Sequence, residues 1–379
     1  MKVAGIIVEY NPLHNGHIHH IEETRRLSGA DVLIAVMSGN VVQRGEFSAF
    51  DKFTKTKWAL KSGIDLVVEL PGVFTIQNAD IFAYTSVSIL SMLGVDTIYF
   101  GSESGDANTL KVCAEIMRTD AYDEKIREFL KEGHSYPSSA DKALASLTSS
   151  DIHKNPNDIL GIQYINAVHR INPAIHIDCI RRIESGYYSP YDAKKKIQSA
   201  TAIRKRIKAG EPVREALPEH VANDTGGFLD YQAAFPYIRY NLSVQTSASL
   251  KRIFGFEEGL ENYLIKHHDK TSFNALLKAL GTRRYTNAKI KRSLMFMLLN
   301  VEKSELQDFN IPYLRILGMN ETGQRHINAI KRDLDVPLIT KIKRERHPYL
   351  DIELRISRLY DLLSGTELFS REFKPVIIL

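Results

Sequence analysis

Cysteine is nearly missing from this chain of 379 residues: Cys113 and Cys179 are the two, and neither stands in metal-ligand spacing. That excludes a disulfide framework and a cysteine zinc site, and it fits a reducing cytoplasm. Long apolar runs are missing too. No stretch approaches the ~18 consecutive apolar residues of a membrane span. The opening MKVAGIIVEYNP has too short an apolar run, and no small-residue cleavage site, to read as a signal peptide. Internal repeats and low-complexity segments are absent. What remains is 44% hydrophobic and 25% charged. That is ordinary globular composition, long enough for two domains or one large α/β domain with an appendage.

A strong excess of one charge is also lacking; the net is +5. It is unevenly placed. Residues 1–215 hold 26 basic and 26 acidic residues, so the whole excess lies in residues 216–379. Within residues 281–300 stand Arg283, Arg284, Lys289, Lys291 and Arg292 with no acidic residue. A neutral half beside a basic half suggests catalysis in one and a polyanion partner for the other; a solvated helix face explains the run equally well.

The first hundred residues alternate apolar runs with helical patterns. Val3–Val8, Val32–Met37, Leu66–Leu70 and Thr97–Phe100 read as strands; Gly16–Leu27, Lys52–Lys61 and Ala79–Leu93 read as helices. The alternation predicts a parallel, Rossmann-like α/β sheet with helices on both faces and ligands beyond the carboxyl ends of its strands. Residues 107–170 read as helical, Ile175–Arg182 as one more strand and residues 200–209 as a short helix. The Gly- and Pro-containing stretch 210–218 marks a boundary between a catalytic domain, 1–215, and a C-terminal domain, 216–379. The latter is expected to be mostly helical, with no strand run comparable to those of the first hundred residues.

The segment Asn11-Pro12-Leu13-His14-Asn15-Gly16-His17 lies between the first strand and the first helix. Pro12 stiffens the turn, and Gly16 lets backbone approach a bulky anion. The helix points free N–H groups and its positive dipole end at that anion. His14 and His17, three apart across the turn, can donate to the same phosphate and stabilise charge developing there. A second segment, Ser199-Ala200-Thr201-Ala202-Ile203-Arg204, places two hydroxyls before a helix and a guanidinium one turn in. Ser199 and Thr201 can cap the helix or bond phosphate, and Arg204 can hold phosphate bidentately. Lys194, Lys195 and Lys196 add positive field beside it.

This pairing resembles the HIGH-type nucleotidylyltransferase superfamily. The runs GIIVEYNPLHNGH, SGNVVQRGE, LVVELP, QNADIFA, IYFGSE, NPNDILGIQY, RRIESGYYS, SATAIR and YLRILGMNETG narrow it to one bacterial family. Over almost its whole length the chain is similar to the tRNA(Met) cytidine acetate ligases. The resemblance implies that ATP and acetate form acetyl-adenylate with release of pyrophosphate, magnesium riding on the nucleotide. The acetyl group then passes to the wobble cytidine of elongator tRNA-Met, giving acetylcytidine without acetyl-CoA. His14, His17 and Arg204 would be catalytic. Ile7, Val8, Glu9, Tyr10, Asn11, Pro12, Leu13, Asn15, Gly16 and His20 would line the nucleotide with the two histidines. So would Gly101, Asn157, Ser199, Thr201 and one of Arg181 and Arg182. The family pattern more often reads Pro-Asn-Asn where this chain has Asp158.

The sequence itself gives no sign of a membrane span, a dedicated protein metal cage or an obligate protein partner. On the basic stretch, Arg283, Arg284, Tyr285, Lys289, Lys291 and Arg292 are the candidates for tRNA, with Tyr285 stacking on a base; Lys341, Lys343, Arg344 and Arg346 form a second basic run. Elsewhere, Arg44-Gly45-Glu46 reads as a ligand site or a surface ion pair, Asp51 and Lys52 as a helix cap and a phosphate ligand, though the cap alone suffices to explain the pair, Glu69 as a polar strand end, and Cys113 as core. Two other readings remain: a small-molecule nucleotidylyltransferase, for which the C-terminal region is superfluous, and a non-catalytic RNA-binding protein on a relic nucleotide fold.

Overall fold

The computed structural model describes residues 1–148, 155–183, 191–192, 195–257, 259–282, 285–306, 308–344 and 346–379. The strands are β1 (Val3–Val8), β2 (Val32–Ser38), β3 (Val41–Val42), β4 (Glu46–Phe47), β5 (Leu66–Leu70), β6 (Thr97–Ser102), β7 (His176–Arg181), β8 (Leu314–Met319), β9 (Leu338–Ile339) and β10 (Ile377–Ile378). The main sheet runs β10-β8-β5-β2-β1-β6-β7, with β9 also paired to β8. From β5 to β7 every pairing is parallel. Strand order therefore reverses between β1 and β6, and a crevice opens beyond their carboxyl ends.

β1 is followed by helix α1 (Asn15–Ser28), and β5 is preceded by helix α2 (Lys52–Lys61). The expected strands and helices of the first hundred residues all occur, several extended by a residue or two. Residues 107–170 hold Ala107–Ile116, Asp120–Lys131, Tyr136–Leu147 and Pro156–Ile171. The strands are apolar on both faces because each face is covered: two separate buried clusters lie on either side of the sheet.

One expectation is corrected. Beyond residue 216 the chain is largely helical, yet β8 is a six-residue strand buried throughout. It pairs antiparallel with β5 and carries β9 and β10 parallel to itself. The sheet is thus built from both halves of the chain. The strand is hard to see in the sequence because Arg315 interrupts its apolar run. In the fold that arginine is enclosed, with Nη1 2.9 Å from Glu69 Oε2 and Nη2 bonded to Glu372. Among the described residues no helix is long and apolar enough to cross a membrane.

Candidate active site

The turn after β1 sits at the strand-order reversal. His14 is the N-cap of α1, an unusual cap, and it acts through its ring: the Gly16 N–H donates to His14 Nδ1 at 3.1 Å. In return the His14 N–H donates to His17 Nδ1 at 3.2 Å. This is a reciprocal capping box made of imidazoles in place of the usual hydroxyl and carboxylate. Its chemical consequence is the tautomer. Both Nδ1 atoms accept, so in each neutral ring the proton sits on Nε2. The rings stack, with centroids 3.8 Å apart, and Tyr10 meets His17 edge-on at 5.0 Å. A Cβ on Gly16 would lie 2.9 Å from His14 Cε1, so the glycine makes room for the imidazole as well as for an anion.

Burial keeps these histidines neutral. It pulls His14 down to about 3 and His20 to about 4, with the nearby Arg182 charge adding to both. His17 is pushed well below the ordinary range for the same reason, with His14 and Arg182 contributing. The turn therefore offers neutral Nε2–H donors beside the N–H groups of α1, an arrangement suited to phosphoryl oxygens.

The second motif reaches the first. Helix Ala200–Lys208 is capped by Ser199, whose Oγ accepts from the Ala202 N–H at 3.2 Å. Arg204 Nη1 donates to the Asn11 carbonyl at 2.6 Å, and Nη2 to Thr201 Oγ1 at 3.3 Å. Asn15 Nδ2 donates to the carbonyls of Lys196 and Glu215, both at 2.9 Å. The two motifs are one assembly, with Arg204 holding the turn by its backbone.

The remaining candidates separate. Val8, Tyr10 and Leu13 are buried in the core, so their side chains are not open to a ligand. Glu9 accepts from the Gln43 N–H at 2.7 Å, and burial raises its carboxyl. Successive strand residues face opposite ways, and here that separates the two arginines. Arg181 is exposed, with its side chain beside Gly105. Arg182 is half-buried over Gly101, donates from Nη1 to Asn157 Oδ1 at 3.2 Å, and is the one whose charge reaches the histidines.

Asn157 Nδ2 donates to Glu103 Oε1 at 2.6 Å. Asp158 is fully buried and accepts from Ser102 Oγ, from the Glu103 and Ser104 N–H groups at 3.1 Å each, and from Asn155 Nδ2 at 2.9 Å. It ties the loop after β6 to the Pro156–Ile171 helix. An open groove of about 580 Å³ borders this region, lined by α1 residues His19, Glu23 and Leu27 and by Cys179 to Ile183.

The basic stretch differs from its sequence reading. Arg283 and Arg284 lie outside the described residues, as does Lys194. Tyr285 is buried, its ring 6.1 Å from that of Tyr263, and is not open to a base. Lys291 pairs with Glu46 of the β3–β4 hairpin and lies over the Tyr231 ring. Gly45, at φ +77°, brings that hairpin so close that a Cβ would meet Arg292 N at 2.4 Å. Burial lowers the Arg292 guanidinium to about 10, and Lys289 pairs loosely with Glu257 at 3.8 Å. Much of this charge is used inside the fold, which charge counting does not reveal. Lys341, Lys343 and Arg344 are exposed.

Lys52 is not open to a phosphate, in line with the cap alone explaining that pair, and Lys55 carries no signal in the sequence. Both are fully buried. Lys52 meets Glu69 and Glu372, and Lys55 Nζ donates to the carbonyls of Glu9, Ser38 and Gly39. No local pattern distinguishes such lysines from surface ones. Asp51 does cap α2, accepting from the Phe53 and Thr54 N–H groups.

Comparison with known proteins agrees with this geometry. Residues 1–373 match the model of the HIGH Nucleotidyl Transferase family. The chain is 38% identical to tRNA(Met) cytidine acetate ligase of Caldicellulosiruptor saccharolyticus, covering 96% of this chain and 94% of that one. It is 36% identical to the Bacillus subtilis protein of the same name, covering 96% and 92%. Two crystal structures of Thermotoga maritima TmcAL, each 30% identical and matched over the full length of both chains, superpose with TM-scores of 0.91 for an apo form and 0.89 for a form bound with alpha-thio ATP. The chain belongs to the HIGH nucleotidyl transferases and, within them, to the tRNA(Met) cytidine acetate ligase family.

Proposed function

We infer that this chain is an ATP-dependent ligase that activates acetate and acetylates the wobble cytidine of elongator tRNA-Met. The observation that carries the reading is the imidazole capping box: both Nδ1 atoms accept backbone N–H groups, which fixes both ring protons on Nε2. An acetate oxygen attacks the α-phosphorus of ATP, the bond to the β-phosphate oxygen breaks, and pyrophosphate leaves. His14 and His17 donate to the phosphoryl oxygens as charge grows there, with the α1 N-terminus and Arg182 adding field. Arg204 contributes by fixing the turn through the Asn11 carbonyl.

The cytosine amine then attacks the acetyl carbon of the adenylate, AMP leaves, and the amine gives up a proton. Activation is needed because the amine lone pair is conjugated into the ring. Magnesium would be carried by the triphosphate, whose oxygens are the hard donors it prefers. Residues 1–215 supply this chemistry, and 216–379, though sharing the sheet, supply the surface for tRNA. Lys289, Arg292, Arg283 and Arg284 remain candidates there, joined by the exposed Lys341, Lys343 and Arg344. The cytoplasm, where tRNA and ATP meet, is the expected location.

The test is product formation. Labelled acetate, ATP and total tRNA should give label on cytidine after nuclease digestion, without acetyl-CoA. Label that appears only when acetyl-CoA is supplied contradicts the ligase reading. ATP consumed with a nucleotide-linked small molecule as product favours the small-molecule transferase.

A further inference from the structure

Helix α2 carries two lysines that are wholly enclosed, which lysine tolerates only when its charge is answered. They lie three residues apart, on one side of the helix, but they serve different regions. Lys52 Nζ stands 2.7 Å from Glu69 Oε1 and 2.8 Å from Glu372 Oε1, and Arg315 bridges the same two carboxylates. Glu372 and Arg315 both come from the C-terminal region. Lys55 Nζ, one turn on, donates to the carbonyls of Glu9, Ser38 and Gly39 at 2.9, 2.9 and 2.8 Å. Those carbonyls lie at the carboxyl ends of β1 and β2, and Glu9 stands two residues before Asn11. A parallel tie runs beside it: the Ala49 N–H donates to Asn11 Oδ1 at 2.7 Å, the Lys52 N–H to Asn40 Oδ1 at 2.8 Å, and Asn40 Nδ2 to Ser357 Oγ at 3.2 Å.

We propose that Lys55 is a positioning residue for the nucleotide turn, and that α2 delivers the seating of the C-terminal helices to it through Lys52. Carbonyl ends gathered at the mouth of a parallel sheet repel one another; an ammonium among them holds them in one geometry. Lys55 acts through the Glu9–Asn11 backbone and touches no reacting atom. The C-terminal carboxylate Glu372 fixes Lys52, and a rigid helix turn lies between the two lysines. The turn that meets ATP is thereby set partly by the half of the chain that does not.

This inference rests on reading the turn as the ATP site, so the probe is ATP itself. Binding of ATP to the full chain is measured by titration calorimetry, with thermal melting alongside. Lys55→Met and Glu372→Gln should each raise the Kd for ATP by roughly 2- to 30-fold, the span of coupling carried through packed networks. The double variant should bind no worse than Lys55→Met alone, because both act along one path. Leu250→Ala, a buried position in the C-terminal helices, should lower Tm and leave the Kd unchanged. Ser357→Ala removes a single hydroxyl from the same bridge, and it keeps the test decisive if Lys55→Met does not fold; its Kd should rise as well. Variants that melt lower but bind ATP like the parent, or effects that simply add, overturn the proposal. A parent chain that fails to bind ATP overturns this proposal and the function reading together. A parent that binds ATP but shows no acetate-dependent chemistry contradicts the function reading alone.

Discussion

The histidine turn and the basic helix Asn287–Leu299 both carry functional expectations in the sequence, and the fold treats them differently. In the turn, residue identity answers backbone demands: the His14 ring accepts the Gly16 N–H, the His17 ring accepts the His14 N–H, and Gly16 leaves room for a ring. In the helix, Lys291 is turned inward to Glu46 and Arg292 lies against Gly45, and just before it Tyr285 is packed near Tyr263. A motif whose spacing is dictated by backbone geometry survives folding as a site. A motif defined by charge alone says nothing about which way the charges point.

That contrast can be broken first at the turn. His17→Ala removes a preorganised donor and should cost about 2.7–4 kcal/mol of transition-state stabilisation, measured as the rate of acetate-dependent adenylate formation in a variant that still melts cooperatively. A rate like the parent's would make the turn a fold element only. At the helix, the expected loss is of stability. Lys291→Ala should destabilise by about 1–3 kcal/mol, since it leaves Glu46 largely enclosed without its partner, while tRNA affinity and its salt dependence hold. Denaturant titration beside tRNA binding separates the two, and a flatter salt slope with unchanged stability would restore the surface reading.

The comparison sharpens further with pH. An unfolded histidine titrates near ~6.5, but folded His14 and His20 titrate at about 3 and about 4. The folded values are lower, so the unfolded state binds more protons as pH falls. Stability is full above ~6.5 and drains away toward the folded values, by up to about 1.4 kcal/mol per pH unit for each such histidine. His20→Gln should flatten the fall in Tm between pH 6.5 and 4.5; a parallel decline in the variant would contradict the assignment. The smallest effect belongs to the exposed run at 343–344. Lys343→Ala and Arg344→Ala should each reduce the salt slope of tRNA binding by about 0.7–0.9 logarithmic units if they meet phosphate, with Tm unchanged. Two variants that bind like the parent at every salt concentration place the tRNA surface elsewhere.

The legibility of the rest follows the same division. Strands of the parallel sheet could be read because burial on both faces makes them continuous apolar runs, and α2 because its Asp51 cap and its length were plain. β8 could not, because Arg315, its second residue, breaks the apolar run and its partners, Glu69 and Glu372, lie hundreds or tens of residues away. Lys52 and Lys55 share that obscurity: only the tertiary fold reveals which lysines are enclosed. Arg181 and Arg182 could not be told apart in the sequence either; in the fold they separate, with Arg182 on the side of the histidines. Asp158, unexplained in sequence, is the fully buried acceptor that fastens the loop after β6.

On the proposed reading, the histidine turn activates acetate before tRNA is involved. Isotope exchange between pyrophosphate and ATP tests it most directly, run on the full chain without tRNA and with acetate varied. Exchange that rises with acetate to saturation, and needs neither tRNA nor acetyl-CoA, is the predicted result. Exchange that ignores acetate, or that stays absent until tRNA is added, would contradict it.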